Sequence, residues 1–120
     1  MQISTKISVL IVAALHIGFL VLEMFLWEHP IGREVFSMTA AQSAETAVLA
    51  ANQGLYNGFL AAGLIWGLFT GKRDITAFML ICVIIAGIFG ALTASPSILI
   101  IQALPGAIAI TLLLRSRPKS

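Results

Sequence analysis

Apolar residues recur along this chain in four runs, each near the length of a membrane-spanning helix and each closed by a polar or helix-breaking stretch. The first runs from Ile7 to Trp27 and is interrupted by the ionisable side chains of His16 and Glu23. No small-residue cleavage site precedes Trp27-Glu28-His29-Pro30, so the run is expected to be a retained span and not a secretory signal. The stretch Glu28 to Met38 is a polar connection in which Pro30 and Gly32 are expected to break the helix. Thr39-Ala40-Ala41-Gln42 has the form of a capping box, which starts the second helix near Thr39. Its apolar part runs from Val48 to Phe69, and Gly71 suits a C-cap. Lys72, Arg73 and Asp74 make a charged turn, with Asp74 expected to cap the third helix, which runs to about Ala94. Ser95-Pro96 reads as a cap followed by a first-turn proline, so the fourth helix is expected to start at once. Pro105 inside it should kink the helix and free the carbonyl of Ile101.

The pattern therefore predicts an all-α, integral membrane four-transmembrane-helix bundle, with helices at about 4–27, 39–70, 74–94 and 96–115, a span taking roughly 20 apolar residues. Nothing marks a repeat or linker, so residues 1–120 are expected to form a single membrane domain. Composition strengthens this. Hydrophobic residues make up 59% of the 120 and charged residues 10%, against about 45–50% and about 25% in a soluble domain. Mean hydropathy is +1.02. A water-soluble fold of this size leaves too much surface in water to hide so much apolar area. A disordered chain, a disulfide scaffold and a nucleic-acid module are excluded with it. Cys82 is the single cysteine and cannot close an intramolecular disulfide. No His, Cys or carboxylate set has the spacing of a metal site, and no phosphate-cradling loop or nucleophile elbow occurs. No metal and no cofactor are expected.

Charge gives an orientation. With four spans, Lys6, Lys72, Arg73, Arg115, Arg117 and Lys119 fall on one side and Arg33 alone on the other. By the positive-inside rule both termini then face the cytoplasm, in an inner (plasma) membrane.

The remaining chemistry lies in polar residues within the spans, which need partners in hydrocarbon. These are His16, Glu23, Asn52, Gln53, Tyr56, Asn57 and Gln102, and together they are the candidate ligand-binding residues. At 1.5 Å per residue, Glu23, Asn52, Gln53 and Gln102 fall roughly 6–8 Å inside the outer boundary, and His16 and Asn57 roughly 13–16 Å inside. His16 and Glu23, seven apart, share a helix face. Asn52, Gln53, Tyr56 and Asn57 cover an arc of about 140°, expected to face other helices. The resulting cluster opens outward, with Glu23 as its switchable charge and Arg33 as a candidate counter-ion. Gly54, Gly58, Gly63 and Gly67 lie along the second helix at spacings that let helices approach closely, inside the monomer or as the face of a homo-oligomer.

Leu22-Glu23-Met24-Phe25-Leu26-Trp27 and Leu49-Ala50-Ala51-Asn52-Gln53-Gly54-Leu55-Tyr56-Asn57-Gly58-Phe59-Leu60 resemble signature stretches of a family of small, mainly bacterial membrane proteins, the domain of unknown function 1304. The resemblance covers nearly the whole chain. It implies a four-helix membrane protein and no particular activity. The leading expectation is a membrane protein that binds or transports a small molecule or ion through the polar cluster. A membrane enzyme (an isomerase or oxidoreductase on an apolar substrate) is a second reading. In it His16, Glu23 and Tyr56 would supply acid–base chemistry; His16 and Glu23 lie about 10 Å apart along the helix, too far for one direct acid–base pair but able to meet opposite ends of a small substrate. An accessory or structural subunit, in which the cluster only fixes packing, is the third. The lipid bilayer is the partner common to all three.

Overall fold

The polar residues at the helix ends act largely through local hydrogen bonds. A computed structural model describes residues 1–116, which leaves Arg117 and Lys119 of the C-terminal charge group outside the described residues. Among the described residues the regular structure is all-α. It comprises α1 (Ile3–Met24), α2 (Pro30–Val35), α3 (Ala40–Phe69), α4 (Arg73–Thr93) and α5 (Leu104–Arg115), with a π-helical turn at Leu99–Ala103 leading into α5. The capping box at the start of α3 forms reciprocally: the Gln42 amide N–H donates to Thr39 Oγ1 at 3.1 Å, and the Thr39 N–H to Gln42 Oε1 at 2.9 Å. Gly71 ends α3 in the left-handed region with φ 66°. Its N–H donates to the Leu68 carbonyl and the Lys72 N–H to the Gly67 carbonyl, at 3.3 and 3.0 Å. That is the Schellman arrangement, and it satisfies carbonyls that the helix end would otherwise orphan.

Four expectations about element ends need correction. Helix α1 stops at Met24 and not at Trp27. The N–H groups of Phe25 and Leu26 both return to the Val21 carbonyl, and the chain then turns. Trp27 leaves the helix axis to donate its indole N–H to Thr46 Oγ1 at 2.9 Å and to pack on Phe36. The connection after it is not wholly irregular either. Pro30 opens α2, where a missing N–H does no harm, and His29 Nδ1 caps it by accepting from the Ile31 N–H at 3.1 Å. Asp74 does not cap α4. Lys72, whose N–H closes α3, is already the N-cap, so Asp74 falls in the first turn and accepts from the Ile75 N–H. The fourth run does not become helical at Pro96, because the Ser95 N–H still reaches back to Gly90. Helical backbone resumes at residue 97. Pro105 cannot donate to the Ile101 carbonyl, and the helix accommodates this as a π turn immediately upstream, with the Leu104 N–H on Leu99.

Helix α2 ends on Ser37 at φ 53°, with the Ser37 N–H on the Glu34 carbonyl and the Met38 N–H on the Arg33 carbonyl. This repeats the Gly71 arrangement with a side chain where glycine is preferred. Ser37→Gly is expected to raise stability by about 0.5–1 kcal/mol, the relief of the left-handed strain exceeding the added freedom of the unfolded chain. The unfolding midpoint of the detergent-solubilised variant checks it, and a lowered midpoint would refute it.

The contacts group the chain into two compact units. One joins Met1–Leu15 to Leu60–Ser120, and the other is His16–Phe59. In the first, four helices meet in one core of Val9, Val12 and Ala13 from α1, Leu64 from α3, Leu80 and Val83 from α4, and Ala109 and Leu113 from α5. Small residues make the approach possible. A Cβ at Gly87 would lie 2.9 Å from the Ala103 backbone nitrogen, and one at Gly106 would lie 3.1 Å from Val83 and Ile84. Arg73 ties the start of α4 to the end of α5 by donating to the Leu113 carbonyl at 2.7 Å and to Ser116 Oγ at 3.2 Å.

Helix α4 presents an apolar face outward as well as inward. On α4 the buried face carries Thr76, Leu80, Val83 and Gly87. The exposed face carries Phe78, Ile81, Ile85, Ile88, Phe89 and Leu92. Bulky apolar groups therefore point out as well as in, unlike the polar outer face of an amphipathic helix in water. Among the described residues, two helices are long and apolar enough to cross a membrane, α1 with mean hydropathy 2.3 and α4 with 2.7. In α3 the amides of Asn52, Gln53 and Asn57 dilute the apolar run, and they bring the chain to its candidate site.

Candidate functional site

The site belongs to the unit His16–Phe59, built from the end of α1, the connection with α2 and the first part of α3. Glycines set the spacing between α1 and α3. A Cβ at Gly54 would lie 2.7 Å from Met24 Cγ, 3.1 Å from Glu23 Cβ and 3.3 Å from the Leu20 carbonyl oxygen. A Cβ at Gly58 would lie 2.7 Å from Leu20 Cδ1. The bare helix surface at these two positions lets α1 come close. It does so next to Asn57, whose Nδ2 donates to Glu23 Oε1 at 2.5 Å. Glu23 is 5% exposed and Asn57 half-buried. A carboxyl on an otherwise apolar helix is thus withdrawn from solvent and given a hydrogen-bond donor from the facing helix. Among the described residues, Glu23 Oε2 and Asn57 Oδ1 take no hydrogen bond.

His16, on the same face of α1, is fully buried, with its ring edge-on to Phe19 at 5.2 Å between centroids. The rest of the expected cluster is placed differently. Asn52 is exposed and donates to the carbonyl of Val48 in its own helix at 2.9 Å. Gln53 is exposed. Tyr56 is 65% exposed and stacks edge-on with Phe59. The arc from Asn52 to Asn57 therefore does not face a neighbouring helix as a whole. Its width exceeds what one neighbour covers, and Asn57 is the member turned toward Glu23. Gln102 lies in the other unit, where its side-chain amide donates to the Val83 carbonyl at 3.0 Å. Arg33 is not the counter-ion of Glu23. Its Nε and Nη2 both donate to the Glu28 carbonyl, at 3.0 and 2.7 Å, which fastens the turn ahead of α2.

Gly54 and Gly58 pack against α1, while Gly63 faces Met79 and Gly67 faces Thr76 of α4. All four glycines thus meet helices of the same chain. Two features escaped the sequence reading. Thr46 receives the Trp27 indole, and the signal for it was the need of a half-buried indole N–H for an acceptor. Gly32 is buried under α2 against the backbone of Leu26, and nothing in the local sequence marks that approach.

The sequence profile of a family described as "Protein of unknown function (DUF1304)" matches residues 10–114, a span that contains every candidate site residue. An uncharacterized protein, YpaA, of Lactococcus lactis subsp. lactis (strain IL1403) is 32% identical over 120 residues, covering 97% of this chain and 98% of that protein. No solved structure matches the chain.

Proposed function

The chain belongs to the family described as Protein of unknown function (DUF1304), and from that premise we propose that it is a four-span inner-membrane protein, with both termini cytoplasmic, that binds or transports a small molecule or ion at Glu23. The outward-facing apolar surfaces of α1 and α4 support lipid as the surrounding medium. The basic residues of the N-terminus, the turn at 72–73 and the C-terminus support the orientation. In that orientation Glu23, near the end of α1 and beside the connection to α3, lies in the outer half of the membrane.

The observation that carries the functional reading is the Glu23–Asn57 pair. An ionisable group within a span is expensive to keep, and such groups mark ligand or ion sites by default. The close approach of the helices at Gly54 and Gly58 does not itself require a carboxyl.

The test is native mass spectrometry of the gently extracted protein beside Glu23→Gln, which keeps the side-chain shape and removes the charge. The expected result is a discrete additional mass on the wild type that is missing from the folded variant. Bare protein of equal oligomeric state in both samples would overturn the reading and leave Glu23 a packing residue.

A further inference from the structure

Resting on the reading of Glu23 as a ligand site, we infer that the ligand is a protonated amine, recognised by the charge of Glu23 and by the free acceptors of the pair. Asn57 spends an amide hydrogen on Glu23 Oε1. With Glu23 ionised opposite a cationic ligand, what the pair still offers is Glu23 Oε2 and Asn57 Oδ1, both of which accept from a ligand, together with the carboxylate charge. A partner that complements two acceptors and one negative charge brings N–H donors and one positive charge. An anion meets repulsion here, and a neutral alcohol supplies one donor and leaves the charge uncompensated in a buried place.

The surroundings carry the same sign. Within His16–Phe59 the acidic side chains are Glu23, Glu28, Glu34 and Glu45, against Arg33 as the one lysine or arginine, with His16 and His29 as the histidines. Of the five acidic residues in the whole chain, all but Asp74 lie in this unit. The guanidinium of Arg33 is engaged with the Glu28 carbonyl. Such a field raises the local concentration of cations and lowers that of anions. A bare metal cation fits less well. Calcium and magnesium ions, for example, take about six oxygens or more, whereas this pair offers two side-chain acceptors. Among the described residues, no group of three His, Cys, Asp or Glu side chains converges.

The experiment uses the full chain in phosphatidylcholine nanodiscs and calorimetric titration with four probes of similar size: n-butylammonium, butyltrimethylammonium, 1-pentanol and pentanoate. The expected result is saturable binding of n-butylammonium that weakens at least tenfold in Glu23→Gln, with circular dichroism showing that variant folded. Butyltrimethylammonium, which keeps the charge and lacks N–H donors, is expected to bind at least fivefold more weakly. Equal binding of the two cations overturns the amine assignment. So does n-butylammonium binding that Glu23→Gln leaves unchanged. Tighter, Glu23-dependent binding of pentanol or pentanoate overturns the charge class while leaving a ligand site at Glu23 intact. Saturable binding of none of the four overturns the inference, and the reading beneath it also falls if the extracted wild type carries no additional mass.

Discussion

Asn57→Leu is expected to destabilise the protein by about 3 kcal/mol, whereas the double variant Glu23→Leu/Asn57→Leu recovers most of that loss. The single change leaves a carboxyl that is 5% exposed without the amide that donates to it. Removing the donor of a buried hydrogen bond costs about 1–3 kcal/mol, and more when the acceptor left behind is charged. Replacing both partners with leucine removes the polar burden altogether, and exchanging both members of a hydrogen bond for apolar groups can be nearly neutral or stabilising. Sterically the exchange at position 23 is mild, since the Cβ that Gly54 meets at 3.1 Å is common to glutamate and leucine. Reversible unfolding in mixed micelles of wild type, both single variants and the double variant closes the cycle. A coupling of at least about 1.5 kcal/mol is expected for residues in direct contact. Simple additivity would show that the two side chains do not act as a pair.

Gly32→Ala is the second large effect, and it arises from backbone and not from charge. A Cβ at position 32 would fall on the carbonyl oxygen of Leu26, with the carbonyl carbon at 2.8 Å and Trp27 Cα at 3.2 Å. Every one of these atoms is main chain, so no change of rotamer relieves the overlap. The helix α2 must lift from the turn that follows α1. Overpacking against a well-packed neighbour costs about 1–3 kcal/mol, and a backbone contact belongs at the upper end. The change is expected to loosen Trp27 from Thr46 and Phe36, which are its partners in this unit. In a Trp66→Phe background the emission of Trp27 should shift to the red, with faster amide exchange across residues 27–38. Gly18→Ala is the control. A Cβ there meets nothing within 4 Å, and alanine favours the helix, so stability should hold or rise. Equal behaviour of the two variants would refute the close approach at Gly32.

These two sites differ in how far the sequence announces them. Glu23 stands out from the sequence, because a carboxyl in an apolar run is rare for a stated physical reason. Its partner does not. Asn52, Gln53, Tyr56 and Asn57 are all polar residues on one helix, and helical periodicity gives their angles relative to one another. It does not say where along that arc a neighbour sits. Gly32 is less legible still. Beside Pro30 it reads as a helix breaker, and the chain instead uses Pro30 to begin a helix and Gly32 to press that helix against a carbonyl.

The amino-acid sequence by itself determined what depends on neighbours within a few residues. The apolar runs became helices, the Thr39–Gln42 box and the Gly71 turn formed as their residue types require, and His16 and Glu23 came to the same buried face of α1. Only the tertiary structure decided which polar groups meet. It brought Asn57 to Glu23, turned Arg33 to Glu28, drew Trp27 to Thr46 and set Gly54 and Gly58 against α1. The physical reason is that a hydrogen bond between helices depends on the azimuth and separation of two axes. Those are set by the packing of side chains far apart in the chain, whereas a cap or a turn depends on dihedral angles that its own residues prefer.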